Sequence, residues 1–143
     1  MAEFTYNAVQ EVQPGQGAIF NGSINCPKGY VIHSDESELV ILRGIVNNPQ
    51  ACFARYQCIF NGNIAVPTGG TPGEISVSLA ISGAPIQTSK AISTPTVVDS
   101  YANVTSTKFI DVPKGCCFYL TLQNTSGVPI NIQNANLVVT RVA

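Results

Sequence analysis

The residues able to do bond chemistry are few and poorly placed for it. His33 is the only histidine in the chain. A serine-type triad would need it beside a carboxylate and a serine hydroxyl. The acids nearest in sequence are Asp35, Glu36 and Glu38, in a polar stretch that reads as a solvated turn. No Gly-x-Ser-x-Gly nucleophile elbow occurs. The cysteines are Cys26, Cys52, Cys58, Cys116 and Cys117. A zinc site needs paired ligands at short spacing. Cys52 and Cys58 do not form a Cys-x-x-Cys pair, and the adjacent Cys116 and Cys117 would point to opposite faces of a strand. The expectation is that the thiols are small buried hydrophobes. Gly69-Gly70-Thr71-Pro72-Gly73 lacks the lysine of a phosphate loop. Asp111 ends an extended stretch before Pro113, Asp99 precedes the one at Tyr101, and nothing brings them together as a catalytic carboxylate pair. The reading is therefore a protein that is not an enzyme, with no catalytic, cofactor-binding or metal-binding residues.

Composition narrows the partners. The 143 residues carry 7 Lys+Arg and 8 Asp+Glu, a net charge of -1, and only 10% are charged, against about 25% in an ordinary soluble chain. Phosphate recognition needs a basic stripe, so nucleic acid is not an expected partner. A polybasic membrane patch and an apolar run of membrane-spanning length are both lacking. A surface so poor in charge repels its own copies weakly, which suits an oligomer. The first 20 residues lack the basic start and apolar run of a secretion signal. Synthesis from Met1 then implies folding in the cytoplasm. An odd cysteine count fits that compartment better than a disulfide framework. The Asn-x-Ser/Thr sequons at Asn21, Asn103 and Asn124 read as incidental.

The elements that must position these residues are strands. Ile75, Val77, Leu79 and Ile81 alternate with Ser76, Ser78, Ala80 and Ser82. Phe118, Leu120 and Leu122 alternate with Cys117, Tyr119, Thr121 and Gln123. Residues 52–60 put Cys52, Ala54, Tyr56, Cys58 and Phe60 on one face, with Arg55 and Gln57 on the other. Residues 39–42, 103–112 and 137–142 are further extended runs. Period-two patterning of this kind indicates β-strands. Pro14-Gly15, Asn61-Gly62, Gly69-Gly70, Ser82-Gly83, Lys114-Gly115 and Ser126-Gly127 punctuate the runs. Asn61-Gly62 predicts a hairpin turn. Residues 67–73 predict a crossing loop, and no stretch carries a helical apolar stripe. Many short strands between Gly/Pro turns predict a single all-β domain over residues 1–143, a sandwich or barrel. Arg43, Arg55 and Arg141 lie in apolar strands, either facing solvent or pairing across a subunit interface. The amide-dense residues 123–136 suit a place where strands bend or meet a neighbour.

The order of runs in the C-terminal half carries a resemblance. A strand, tight turn and outgoing strand over residues 74–86 precede the Thr-rich strand 98–112. Pro113-Lys-Gly-Cys-Cys-Phe-Tyr-Leu-Thr-Leu-Gln-Asn124 and a β-branched closing strand follow. This succession resembles the tumour-necrosis-factor-like jelly roll, which includes the complement globular head and the C-terminal domains of bacterial collagen-like proteins. The resemblance implies a jelly-roll β-sandwich whose last strand packs centrally. It also implies a homotrimer with an axis lined by aromatic and aliphatic residues. Tyr56, Phe60, Phe109, Phe118 and Tyr119, with Arg55, are the candidates for that interface; the other place for the aromatics is the subunit's own core. No Gly-x-y stalk is present. Residues 4–9 (Phe-Thr-Tyr-Asn-Ala-Val) and the block Leu42-Arg-Gly44…Cys52-Phe-Ala-Arg55 also look like small virion proteins of phages and prophages of gut Firmicutes. That likeness implies a capsid-decorating or head-fibre subunit, made in the host cytoplasm and resident in the virion. Its partners would be its own copies and the major capsid protein or another virion protein, and residues 1–16 would be an attachment arm. Two rival readings are a carbohydrate- or receptor-binding module using loops 61–73 and 83–100, and a bacterial spore or cell-surface domain.

Overall fold

The computed structural model describes residues 1–24, 29–33 and 37–143. Cys26, Asp35 and Glu36 lie outside the described residues. Among those described, the strands are β1 (Ala2–Tyr6), β2 (Gln10–Val12), β3 (Gly22–Ile24), β4 (Val31–His33), β5 (Val40–Arg43), β6 (Phe53–Ala65), β7 (Ile75–Ile81), β8 (Ala84–Pro85), β9 (Ala91–Ser93), β10 (Ala102–Pro113), β11 (Cys117–Asn124) and β12 (Ile130–Arg141). One 3-10 turn, Gln87–Ser89, is the only helical element among them. Two antiparallel sheets result. The first has the order β10-β6-β12-β1-β3, with β2 also paired to β12; the second has the order β4-β5-β11-β7-β8, with β9 also paired to β7.

The alternation read from the sequence decides which side of each strand is inside. Ala54, Tyr56, Cys58, Phe60 and Ile64 of β6 are fully buried, and so are Leu120 and Leu122 of β11. They join Phe4, Phe20, Leu42, Val77, Leu79, Leu137 and Val139 in one apolar cluster between the sheets. Each fully buried side chain of this size contributes about 1.5–3 kcal/mol. The closing strand β12 lies in the middle of the first sheet, between β6 and β1, as the jelly-roll resemblance implied.

Three expectations are corrected. Asn61-Gly62 is not a hairpin turn: β6 runs straight through it, paired to β10 on one side and β12 on the other. Pairing on both flanks overrides the local turn preference, and the Phe60 ring lies where a Gly62 side chain would be, 2.7 Å from an added Cβ. Residues 1–16 are not a free arm. β1 is inserted between β12 and β3, with Ala2 and Phe4 fully buried. Cys52, Cys116 and Cys117 are exposed, so of the described thiols only Cys58 is a buried hydrophobe. The amide-dense segment does bend: the β6–β12 register shifts between Gln133 and Asn136, and Asn134 takes φ 56°. A side-chain amide tolerates that left-handed backbone better than most residues do.

Candidate self-association face

The outward face of the first sheet is assembled row by row from its register. Thr107, Ile59, Val138, Glu3 and Ile24 stand side by side across five strands. On one side of that row come Phe109, Gln57 and Thr140, and then Asp111 opposite Arg55. Phe53 pairs with Pro113 at the same end. Ile24 is 63% exposed, Phe109 55% and Phe53 39%. On the other side the face turns into amides. Thr105, Asn61, Asn136 and Thr5 form one row, and Asn103 and Asn63 begin the next. One face thus has an apolar half and an amide half.

The polar half is cross-linked. Asn103 Nδ2 donates to Asn61 Oδ1 at 2.9 Å and to Asn63 Oδ1 at 3.2 Å. Asn63 Nδ2 donates to Asn134 Oδ1 at 3.2 Å, and Asn134 Nδ2 to Asn7 Oδ1 at 2.7 Å. The bulge at Asn134 brings that amide into line between its two neighbours. At the apolar end Arg55 Nε and Nη2 grip both Asp111 oxygens, at 2.7 and 3.1 Å. Hydrogen bonding and charge from Arg55 hold the Asp111 carboxyl below its usual range, and Asp111 raises the guanidinium in return. Both side chains remain over 40% exposed, so the pair adds little to the stability of a lone subunit. Arg55 also lies 5.1 Å from the centre of the Phe53 ring, which joins the ion pair to the apolar half.

Of the six interface candidates, this face holds Phe109 and Arg55. Tyr56 and Phe60 are corrected. They point from β6 into the subunit's own core at 0% exposure, and Tyr56 Oη donates to the carbonyls of Arg43 (2.6 Å) and Tyr30 (3.2 Å). Adjacent strand residues face opposite ways, so Arg55 and Tyr56 cannot meet one neighbour together. Phe118 packs partly buried against the core from β11. Tyr119 faces outward from the second sheet, in a row with Ile41 and Ile32, and cannot join Phe109 on one surface. Ile24, Ile59, Val138 and the asparagine ladder were missed. The alternation of β6 already marked Ile59 as a partner of Arg55 and Gln57; the others needed the sheet order.

The remaining candidates have structural roles. His33 is 9% exposed, with its ring centre 4.9 Å from Phe4 and 6.2 Å from Phe20. Its Nε2 lies 2.9 Å from the Ser37 carbonyl and its Nδ1 3.2 Å from Ser23 Oγ. Nε2 donates to that carbonyl, and among the described residues no carboxylate joins these bonds. Glu38 accepts from the Gly17 amide at 3.0 Å. Arg43 donates to the Gly29 carbonyl, and Arg141 stacks 4.2 Å over the Tyr30 ring. Asn124 is buried, donating to the carbonyls of Val12 and Val128. No group of three or more His, Cys, Asp or Glu side chains among the described residues is placed to hold a metal ion.

No protein-family model matches the sequence. No curated protein matches it either. Solved structures do match its shape. The globular domain of a zebrafish complement 1qA protein superposes with a TM-score of 0.61 at 10% identity, covering 96% of this chain and 94% of that one. The Eiger TNF of S. frugiperda superposes with a TM-score of 0.64 at 10% identity, covering 99% of this chain and 92% of that one. The alternating strands, the two sheets, the central last strand and these two likenesses together give the chain the tumour-necrosis-factor-like, complement-head-like jelly-roll fold.

Proposed function

We propose that this protein is a non-enzymatic structural subunit that assembles as a homotrimer through the outward face of the β10-β6-β12-β1-β3 sheet. The observation that carries the reading is the apolar group on that face, where exposed Phe109 and Phe53 stand on β10 and β6 with Ile59, next to Val138 on β12, while exposed Ile24 lies beyond Glu3. Contiguous apolar patches mark interaction sites when they exceed a few hundred Å². The amide half supplies the polar, orientation-setting part of such an interface. The threefold order follows from the resemblance to the complement-head and tumour-necrosis-factor-like jelly rolls. The finer role is capsid decoration or a head fibre in a phage virion, with a capsid protein as the second partner. That part rests on the likeness of residues 4–9 and the block 42–55 to small virion proteins.

A second reading, a binding module for carbohydrate or a receptor, is favoured by two open depressions at loops. One is lined by Val66 to Thr71 with Glu11 and Val128, the other by Pro85, Gln87 and Lys90 with residues 123–126. Assembly and binding are compatible, since the second depression lies on the other sheet. The assembly is tested by sedimentation of the wild type and of Phe109→Glu. The expected result is a trimer that becomes a folded monomer when a carboxylate is placed in the apolar half. A Phe109→Glu protein that stays trimeric would move the interface elsewhere.

A further inference from the structure

Arg55 and Asp111 form a closed ion pair among exposed apolar groups. They are register partners on β6 and β10. Their neighbours Ala54, Tyr56, Ile110 and Val112 are buried, so both charged side chains point outward. Arg55 donates from Nε to Asp111 Oδ1 at 2.7 Å and from Nη2 to Oδ2 at 3.1 Å. Both carboxylate oxygens and two of the three guanidinium nitrogens are therefore engaged inside one chain. The two side chains are 43% and 44% exposed. At that exposure a pair gains little in a lone subunit.

The surroundings of the pair are apolar. The Phe53 ring centre lies 5.1 Å from the Arg55 guanidinium. Phe109 stands two residues before Asp111 on β10 and points the same way. On the other flank of β6, the Val142 N–H donates to the Arg55 carbonyl at 2.9 Å, and Val142 is 46% exposed. Glu3, in the row of Ile59 and Val138, is tied instead to the amide half, accepting from Asn136 Nδ2 at 3.2 Å. The charges of Arg55 and Asp111 cancel within the chain. A surface that covers them needs apolar groups and no free charge. The same end of a second copy is such a surface.

We propose that Arg55–Asp111 is the specificity-determining contact of the self-association face: assembly shuts the closed pair off from water, and copies dock only when both charges are present or both are gone. This inference rests on the proposed assembly through that face. The physical reason is an asymmetry. Removing one partner leaves a charge that burial strips of water without compensation, which strongly opposes association. Replacing both partners by apolar groups of similar size is neutral or favourable. A pair at a wet rim shows neither effect. A closed pair also turns away any partner that brings a lone charge against it.

The test is sedimentation of the full chain as wild type, as Arg55→Met, as Asp111→Leu and as the double variant. The three variants change exposed side chains, so their circular dichroism should match the wild type, and a change in mass then reports association. The wild type and the double variant are expected to assemble alike. Each single variant is expected to lower the association constant by at least about thirtyfold. Two results would overturn the inference and leave the assembly standing: single variants that assemble like the wild type, or a double variant as weak as the singles. A monomeric wild type would instead overturn the assembly on which the inference rests.

Discussion

At the scale of single residues, His33, Tyr56 and Cys58 are held by packing. Tyr56 shows how a polar atom enters an apolar core at no great cost: its ring fills the cluster and its hydroxyl reaches two main-chain carbonyls at the end of the sandwich. Tyr56→Phe keeps the ring and removes the donor. It should lower the unfolding free energy by about 1–2 kcal/mol in urea denaturation, with the solution mass unchanged. Cys58 differs from its exposed counterparts because burial pushes its thiol up to about 12. In the folded protein, Cys52, Cys116 and Cys117 should react with a maleimide while Cys58 reacts only on unfolding; mass spectrometry of labelled peptides checks this. The raised value also has a pH consequence. The folded state keeps a proton that an unfolded thiol releases near pH 8.5. Stability is therefore complete below that value and falls as the pH rises toward 12, by at most about 1.4 kcal/mol per pH unit. Cys58→Ala should flatten that part of the stability profile relative to the wild type. An unchanged slope would remove Cys58 as its source.

At the scale of elements, period-two alternation was strong enough to reveal most strands and their buried sides. It gave β7 at its full length and the inward side of β6 and β11, because each sheet has one apolar face. It did not reveal where β6 ends, since Asn61-Gly62 is a turn signal only when no neighbour pairs across it. It also stopped short on β12, whose first half is rich in Asn and Gln that face outward into the amide ladder. Sheet neighbours are set by contacts far apart in sequence, so the row Thr107–Ile59–Val138–Glu3–Ile24 was not legible from any one segment. Tight turns depend on equally distant partners. Gly44 donates to the Cys116 carbonyl at 2.8 Å and accepts from Gly115 at 3.0 Å, clasping the turn between β10 and β11. A Cβ on Gly44 would lie 2.1 Å from the Pro113 carbonyl oxygen. Gly44→Ala must push that turn away and should destabilise the fold by more than about 1 kcal/mol, seen as a clear drop in melting temperature. A melting temperature equal to the wild type would show that the clasp is loose.

At the scale of the whole molecule, the two sheets have different outsides. The first presents an apolar half and a cross-linked amide half. The second presents the row Ile32–Ile41–Tyr119 and, further along β11, the polar depression over Gln123. A chain with 10% charged residues and a net charge of -1 opposes self-association weakly, and a stable interface of ordinary size needs about 800 Å² from each partner. The outward face of the first sheet is the one proposed to supply it. The most direct test is the solution mass by light scattering on a size-exclusion column, at two protein concentrations. A homotrimer would show three times the 15.1 kDa subunit mass at both. A monomer at both concentrations would contradict it and leave the apolar half of the first sheet without the partner proposed for it.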